Sequence, residues 1–416
     1  MYLTKEENEM LEGKYGHPVQ KSMEILVGLG ECYDAERMLP ITSAHILPAL
    51  IQSSSEARAS IIKNMADKGA KFRTFTTANP QTINPETYRD KDVGISEKLF
   101  SEQTAVNNNL HKMGAFLSYT CTPYLVGNVP RFRQHVAFSE VNVITFANSV
   151  LGARTNREGG PSALAAAICG RTPEYGYHLD ENRYGDLEIS ITVKLNGIAD
   201  FGTLGEFVGR VAGDKVPVLT GISPAVSWDE LTQLGAQICI AGSVALCHVV
   251  GVTPEASTEE AAFGPRKKGR WPRFEFGEKE LSQTEGLLSE ATGGYVDLVV
   301  LGCPHTSVAQ LKEIAGLLSG KKLKSGLELW IMTSRIVMTF AQNMGYIDVI
   351  EATGARVLGD VCPLYIMKEN FKKHGPQVVA SDSARHVSYM PGLQGVMPHY
   401  GSTKRCIEAA ISGIWR

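Results

Sequence analysis

Three of the eight cysteines stand out because a proline follows each of them closely, in Cys121-Thr-Pro, Cys303-Pro and Cys362-Pro. A residue directly before proline is pushed out of the helical region, so Cys303 and Cys362 are expected at strand ends. Ligands bind at the carboxyl ends of strands in α/β sheets. The three thiolates could converge on one iron–sulfur cluster and leave one iron open to substrate as a Lewis acid. On spacing alone, three unrelated core or loop cysteines fit better.

The remaining cysteines lie in helix-like stretches, where a thiol usually acts as a small core hydrophobe. These residues are Cys32, Cys169, Cys239, Cys247 and Cys406. Eight cysteines in 416 residues are too few for a disulfide scaffold. The amino-terminal sequence also lacks the basic and apolar regions of a secretory signal, so a cytoplasmic protein is expected.

A second candidate site lies between 148 and 162, where Arg154 and Arg157 precede an alanine-rich helix. Arginines near a helix start can bind a carboxylate or phosphate. A polar turn with salt-bridged arginines fits the segment equally well. Neither a GxxxxGK[ST] loop nor a GxGxxG motif after a strand occurs, so nucleotide binding has little support.

The overall composition is that of an ordinary globular protein, with 43% hydrophobic and 20% charged residues. A net charge of −3 gives no general attraction to nucleic acid or anionic lipid. The apolar stretch 236–252 fits a buried helix better than a membrane span, because it is solitary and carries Gln237, Ser243 and His248. The basic segment 264–273 fits a solvated loop better than an RNA contact. No nucleic acid or membrane partner is expected.

Alternating strand and helix patterns predict an α/β fold with a parallel sheet and helices on both faces. At the amino terminus, Thr4 and Glu7 predict a capping box. Thr306 or Ser307 is expected to cap a helix. The elements expected along the chain are strands at 143–146, 187–195, 216–222, 296–301 and 327–332, and helices at 201–212, 228–252, 278–291, 308–318 and 336–343. We expect three regions, at 1–200, 201–295 and 296–416.

The segment 147–167, with Cys121-Thr-Pro-Tyr-Leu, Gly302-Cys-Pro-His and Gly359-Asp-Val-Cys-Pro, resembles the aconitase X family. The likeness covers essentially the whole chain, whose length resembles the large subunit of the two-subunit members. The resemblance implies an aconitase-like fold, with several α/β/α subdomains and mostly parallel sheets around a central cluster cleft.

The resemblance also implies a hydro-lyase whose iron–sulfur cluster is held by Cys121, Cys303 and Cys362. A [4Fe–4S] cluster is expected, with [2Fe–2S] as the alternative. Known family activities dehydrate mevalonate 5-phosphate or cis-3-hydroxy-L-proline, so the substrate is expected to be a small hydroxy acid, most like (R)-5-phosphomevalonate. In the family a serine of a separate small subunit or domain is thought to supply the base. His45 and His305 are further candidates in this chain.

Substrate-contacting positions of the family map onto Asn79, Pro80, Glu140, Val141 and Arg385, with Pro48-Ala49-Leu50 as a further segment. This chain departs from the phosphomevalonate pattern, which has Gly-Val-Ser at 48–50, Ser-Ser at 141–142 and lysine at 385. These departures leave open another hydroxy-acid substrate or a non-catalytic, partner-binding subunit. A zinc site at the same thiolates, or a metal-free enzyme, also stays open.

Overall fold

The computed structural model describes residues 1–48, 55–84, 97–265, 271–365 and 378–416. Ala49, Leu50 and positions 266–270 of the basic segment lie outside these residues. The chain divides into two compact units. Unit 1 comprises the described parts of Met1–Gln81, Ser96–Gly185 and Ala245–Lys268, and unit 2 those of Thr82–Ile95, Asp186–Val244 and Gly269–Arg416.

The strands of the described residues are short. In chain order they are β1 Met38–Pro40, β2 Ser43–Ile46, β3 Phe75–Ala78, β4 Val136–Phe138, β5 Arg171–Pro173, β6 Leu187–Ile191, β7 Pro217–Thr220, β8 His248–Val249, β9 Arg273–Phe276, β10 Leu298–Leu301, β11 Glu328–Thr333, β12 Arg356–Gly359, β13 Val378–Ser381 and β14 Met397–Tyr400.

Helices separate most of these strands. They are α1 Lys5–Leu11, α2 His17–Cys32, α3 Ser55–Asp67, α4 Glu97–Met113, α5 Val141–Ser149, α6 Gly160–Cys169, α7 Gly197–Ala212, α8 Trp228–Ala241, α9 Glu259–Phe263, α10 Glu278–Leu288, α11 Val308–Leu318, α12 Arg335–Asn343, α13 Tyr346–Glu351, α14 Ala384–Tyr389 and α15 Thr403–Ser412.

Unit 1 contains a three-stranded sheet in the order β3-β2-β4, and both pairings are parallel. Its buried residues from β2 and from the alanine-rich α6 share one core with α2 and α4. The predicted capping box is confirmed, because the Thr4 side chain accepts from the Glu7 amide and Glu7 accepts from the Thr4 amide. The carboxyl ends of the three strands lie at one edge of the sheet.

Unit 2 contains a five-stranded sheet in the order β12-β11-β10-β13-β14, in which every pairing is parallel. A second parallel set, β7-β6-β9, precedes it along the chain. Between β10 and β11, the side chain of Ser307 caps α11, as one of the two predicted alternatives. The mixed α/β class with mostly parallel sheets is thus confirmed.

Two predicted elements are wrong. The segment 143–146 is helical, not extended, because it lies in α5, which is buried from Asn142 to Ser149. A helix that is buried on nearly every side lacks the amphipathic period that identifies helices. The predicted helix 228–252 ends at Ala241 because Gly242 passes close to another backbone, where a Cβ would lie 2.4 Å from the Gly209 oxygen. Across the described residues, we find no helix with the length and apolar character to span a bilayer.

Candidate active site

The carboxyl edge of the unit 1 sheet brings two predicted substrate-binding residues together. Asn79 follows β3 directly, and Glu140 lies two residues after β4. Both are buried, and Asn79 donates from Nδ2 to the Glu140 Oε2 atom at 2.9 Å. Because β3 and β4 both run parallel to β2, which lies between them, all three strands end at one edge of the sheet, and this hydrogen bond joins the ends of the two outer strands.

His45, on the central strand β2, continues this hydrogen-bonded chain. Its Nε2 lies 3.2 Å from Asn79 Oδ1 and its Nδ1 lies 2.8 Å from Thr77 Oγ1. Complete burial lowers the pKa of His45 to about 4, although the hydrogen bond to Asn79 and the charge of Glu140 oppose the shift. The ring is therefore neutral at physiological pH.

Cys121 lies near this edge of unit 1. The amide of Thr120 donates to the Ala78 carbonyl at 3.1 Å, beside Asn79. The Cys121 carbonyl accepts from Asn142 Nδ2 at 2.5 Å. These two bonds hold a buried cysteine between the end of β3 and the start of α5.

The other predicted residues of unit 1 lie outside the hydrogen-bonded chain of His45, Asn79 and Glu140. Pro48 and Pro80 are buried, and Val141 is half-buried at the first position of α5. Arg154 is buried, pairs with the Asp180 carboxylate and donates to the His178 carbonyl at 2.9 Å. This arrangement favours the salt-bridged turn over an anion site at Arg154.

In unit 2, Cys303 follows the buried central strand β10, as its proline predicted. Gly302 makes the turn with φ of +91°, and a Cβ there would lie 2.2 Å from the Met332 oxygen. Only glycine fits so close to the neighbouring strand. The Cys303 carbonyl accepts from the Ser383 hydroxyl and from Gln233 Nε2 at 3.4 Å.

Cys362 follows β12 after a tight turn at Asp360, whose φ is +70°. The Asp360 amide donates to the Thr333 carbonyl at 2.8 Å. Its carboxylate accepts from the backbone amide and Nε of Arg335, at 2.7 and 2.8 Å. Cys303, Cys362 and Leu364 form one buried cluster. The structure therefore brings these two predicted ligands together.

Arg385 lies at the carboxyl edge of the same sheet, in the first turn of α14 after β13. It is only 8% exposed, so it is not a surface arginine. Ser383 caps this helix by accepting from the His386 amide at 3.1 Å while its hydroxyl reaches Cys303. His305 is buried and lies 2.8 Å from the Val361 carbonyl through Nε2, which suits a structural role better than that of a free base.

The donor set of unit 2 fits a thiophilic metal group, because two buried cysteines that form no disulfide share one cluster at the carboxyl edge of a parallel sheet. Within the described ranges, no three His, Cys, Asp or Glu side chains are grouped as they would be around a metal ion. The ligand role of the three cysteines therefore stays a prediction.

Three of the other cysteines are inert thiols, as predicted for core residues. Burial raises the pKa of Cys169 to about 12 and that of Cys247 to about 11, and it also raises the pKa of Cys406. Two details differ from prediction: Cys32 is exposed at the end of α2, and Cys247 lies outside any helix.

Sequence reasoning missed two polar residues behind the unit 1 edge. Asn128 Nδ2 donates to Thr77 Oγ1 at 2.8 Å and to the Ala44 carbonyl at 3.2 Å, and all three residues are buried. The sequence shows Thr77 only as a polar residue two positions before Asn79, and it gives no indication that Asn128 reaches the same strand.

Comparison with known proteins decides the family. Three family models match in succession: aconitase X first domain at residues 1–181, second domain at 185–286 and third domain at 296–412. The chain belongs to the aconitase X family. A crystal structure of Thermococcus kodakaraensis aconitase X in its holo-form superposes with a TM-score of 0.87 at 35% identity, covering 99% of this chain and 100% of that one.

Two relatives with named activities are similar to this chain over most of its length. The phosphomevalonate dehydratase large subunit of Methanothermobacter thermautotrophicus is 41% identical, and the match covers 95% of each chain. The cis-3-hydroxy-L-proline dehydratase of Pseudomonas aeruginosa is 31% identical over 97% of this chain and 69% of that protein. Both names denote hydro-lyases.

Proposed function

We propose that this chain is the large, catalytic subunit of a phosphomevalonate dehydratase, a hydro-lyase that removes water from (R)-5-phosphomevalonate. The observation that carries the proposal is the pairing of buried Cys303 and Cys362 at the carboxyl edge of a parallel sheet, in a chain of the aconitase X family. Relatives with 36–41% identity, named phosphomevalonate dehydratase large subunit, support this substrate.

The proposed ligands of an iron–sulfur cluster are Cys121, Cys303 and Cys362. Held by these cysteines, a [4Fe–4S] cluster would supply Lewis-acid chemistry toward the leaving hydroxyl. The eight cysteines, all within the described residues, form no disulfide, which supports the reducing, cytoplasmic setting that we propose for the protein.

The chain's own residues bind and orient the substrate. Arg385 pairs with an anionic group of the substrate, because a guanidinium can donate two parallel hydrogen bonds to a carboxylate or phosphate. Asn79 and Glu140 orient polar groups, since a carboxamide keeps a further donor and acceptor after bonding to Glu140 and His45. Pro80 and Val141 complete the proposed contacts.

The proton-abstracting base is proposed to come from a separate small subunit. The name "large subunit" of the archaeal relatives supports such a partner. In this chain, His45 is a neutral, doubly engaged ring and His305 lies against a backbone carbonyl. These contacts do not favour either histidine as the base.

The test is co-expression with a small subunit of the aconitase X type, anaerobic purification, and NMR detection of the alkene product. We expect turnover of (R)-5-phosphomevalonate by the pair and none by the 416-residue chain alone. The altered residues at 48–50, 141–142 and 385 make cis-3-hydroxy-L-proline the second substrate to offer. Turnover of that substrate alone would reassign the specificity, and turnover by the isolated chain would place the base here.

A further inference from the structure

We infer that His45 is a positioning residue that fixes the orientation of the Asn79 carboxamide, so that Asn79 and Glu140 present one set of hydrogen-bonding groups to the substrate. The inference rests on the proposed function for the role of Asn79 and Glu140. The orientation of the carboxamide depends only on contacts within unit 1.

Glu140 decides which way the Asn79 carboxamide faces. Because a carboxylate only accepts hydrogen bonds, the Asn79 group at 2.9 Å from Glu140 must be the amide nitrogen. The carboxamide oxygen then faces His45 Nε2, at 3.2 Å. An oxygen cannot donate, so the ring must carry its proton on Nε2.

The Thr77 hydroxyl, which can donate or accept, is compatible with this tautomer on the other side of the ring; the Ala44 carbonyl, at 3.3 Å, is its more distant alternative acceptor. With the proton on Nε2, His45 Nδ1 is an acceptor and takes the Thr77 hydroxyl proton at 2.8 Å. Thr77 Oγ1 in turn accepts from Asn128 Nδ2 at 2.8 Å. The chain Asn128, Thr77, His45, Asn79, Glu140 therefore has a single consistent direction of donation, which ends at the carboxylate.

Burial makes this direction costly to reverse. His45 and Thr77 are 0% exposed, and Asn79 and Asn128 are 2% exposed. A flipped Asn79 amide would place its oxygen against the Glu140 carboxylate and its NH₂ group against the Nε2 proton, and each mismatch leaves a buried polar group unsatisfied. Three of the residues sit on or directly after the parallel strands β2 and β3, which fix their separation.

Two substitutions of His45 distinguish a loss of Asn79 orientation from a mere change in side-chain volume. In His45→Gln, the side-chain amide nitrogen can occupy the place of Nε2 and donate to Asn79. In His45→Asn, the shorter amide reaches the place of Nδ1 near Thr77 but leaves Asn79 without its donor. We expect His45→Gln to stay within about threefold of wild type, and His45→Asn to lose roughly 5- to 150-fold in kcat/KM, mainly through a higher KM.

A double-mutant cycle tests whether the effect passes through Asn79. In an Asn79→Ala background, His45→Asn should lower kcat/KM by no more than about threefold, because the carboxamide that His45 orients is absent. Equal losses in the two backgrounds, or equal losses for His45→Gln and His45→Asn, would overturn the inference.

Crystal structures of the two variants test the orientation of the Asn79 side chain directly and need no substrate. We expect the Asn79 side chain of His45→Asn to leave Glu140 or to adopt more than one rotamer, and that of His45→Gln to keep the 2.9 Å contact. An unchanged, single Asn79 rotamer in His45→Asn would refute positioning. Failure of the wild-type pair to dehydrate either substrate would instead refute the proposed function, and the crystal structures would still decide the role of His45.

Discussion

The Ser383 hydroxyl donates to the main-chain carbonyl of Cys303, and so ties the end of β13 to the end of β10. The same oxygen caps α14, the helix that carries Arg385. One serine thereby links a proposed cluster ligand to the proposed anion-binding residue. Both lie at the carboxyl edge of a single parallel sheet, where the fold class places ligand sites.

The cysteine assignment predicts which thiols are needed for the cluster. Cys121→Ala, Cys303→Ala and Cys362→Ala should each lose bound iron and acid-labile sulfide after anaerobic purification. Cys169→Ala and Cys406→Ala are matched controls, because these thiols are buried and their raised pKa values disfavour the thiolate. Full iron occupancy in any of the first three variants would remove that residue from the ligand set.

Arg385 should contribute through two hydrogen bonds to a substrate anion. Arg385→Lys keeps the charge but loses one bond of about 1.5–3 kcal/mol, which corresponds to a loss of roughly 10- to 150-fold in kcat/KM. Arg385→Ala should cost more, since the substrate anion would be left unpaired. Steady-state kinetics of the assembled pair measure both, and wild-type kinetics in Arg385→Ala would leave the anion site unassigned.

Asp382 should make the folded protein less stable as pH rises. Burial raises the pKa of its carboxyl to about 7, although Thr403 donates to it at 2.8 Å. The folded state therefore binds the proton more tightly than the unfolded state, and this contribution is full below about pH 4 and lost as pH approaches 7.

Asp382→Asn removes this titration while keeping an acceptor for Thr403. Relative to wild type, its free energy of unfolding should be higher at pH 8 than at pH 5, by about 2–3 kcal/mol. Urea denaturation at the two pH values is the measurement, and the exposed Asp34→Asn controls for loss of one charge. A pH-independent difference would show that Asp382 is ionised in the folded state.

The buried histidines predict the opposite slope in acid. Burial lowers the pKa of His45 to about 4 and those of His178 and His386 to about 3. Because these folded-state pKa values lie below the ordinary 6.5, their stabilising contribution is full above about pH 6.5 and falls as the pH drops toward 4.

His386→Gln should therefore flatten the acid side of the stability profile. Between pH 6.5 and 5.5 each such histidine accounts for about 1 kcal/mol of lost stability. The exposed His17→Gln is the matched control. An identical acid slope in wild type and His386→Gln would contradict the buried, neutral state of His386.

Local signals in the sequence predicted much of unit 2. A continuous apolar run followed by Gly-Cys-Pro marks the end of β10, and Ser307 marks the start of α11. These features depend on a few neighbouring residues, so they can be read from the chain. The end of α8 could not be predicted this way, because it depends on how closely Gly242 approaches Gly209, which is distant in sequence.

In the candidate site, too, local features were predictable from the sequence and long-range contacts were not. Cys303 and Cys362 were identifiable from their prolines, and the parallel topology explains why they meet. The hydrogen bonds of His45 were not predictable, since His45, the end of β3 and Asn128 come from separate parts of the chain whose relative placement only the fold determines. The substrate residues themselves came from family resemblance, because nothing local distinguishes Glu140 or Arg385 from other charged residues.

Iron dependence of the dehydration tests the central claim most directly. The anaerobically purified pair should convert (R)-5-phosphomevalonate to its alkene, lose that activity when a chelator removes its iron, and regain it with ferrous iron and sulfide. Parallel reconstitution with zinc should restore nothing. Undiminished turnover by a subunit pair that contains no iron, or full recovery of activity with zinc alone, would contradict the account of this chain as an iron–sulfur hydro-lyase.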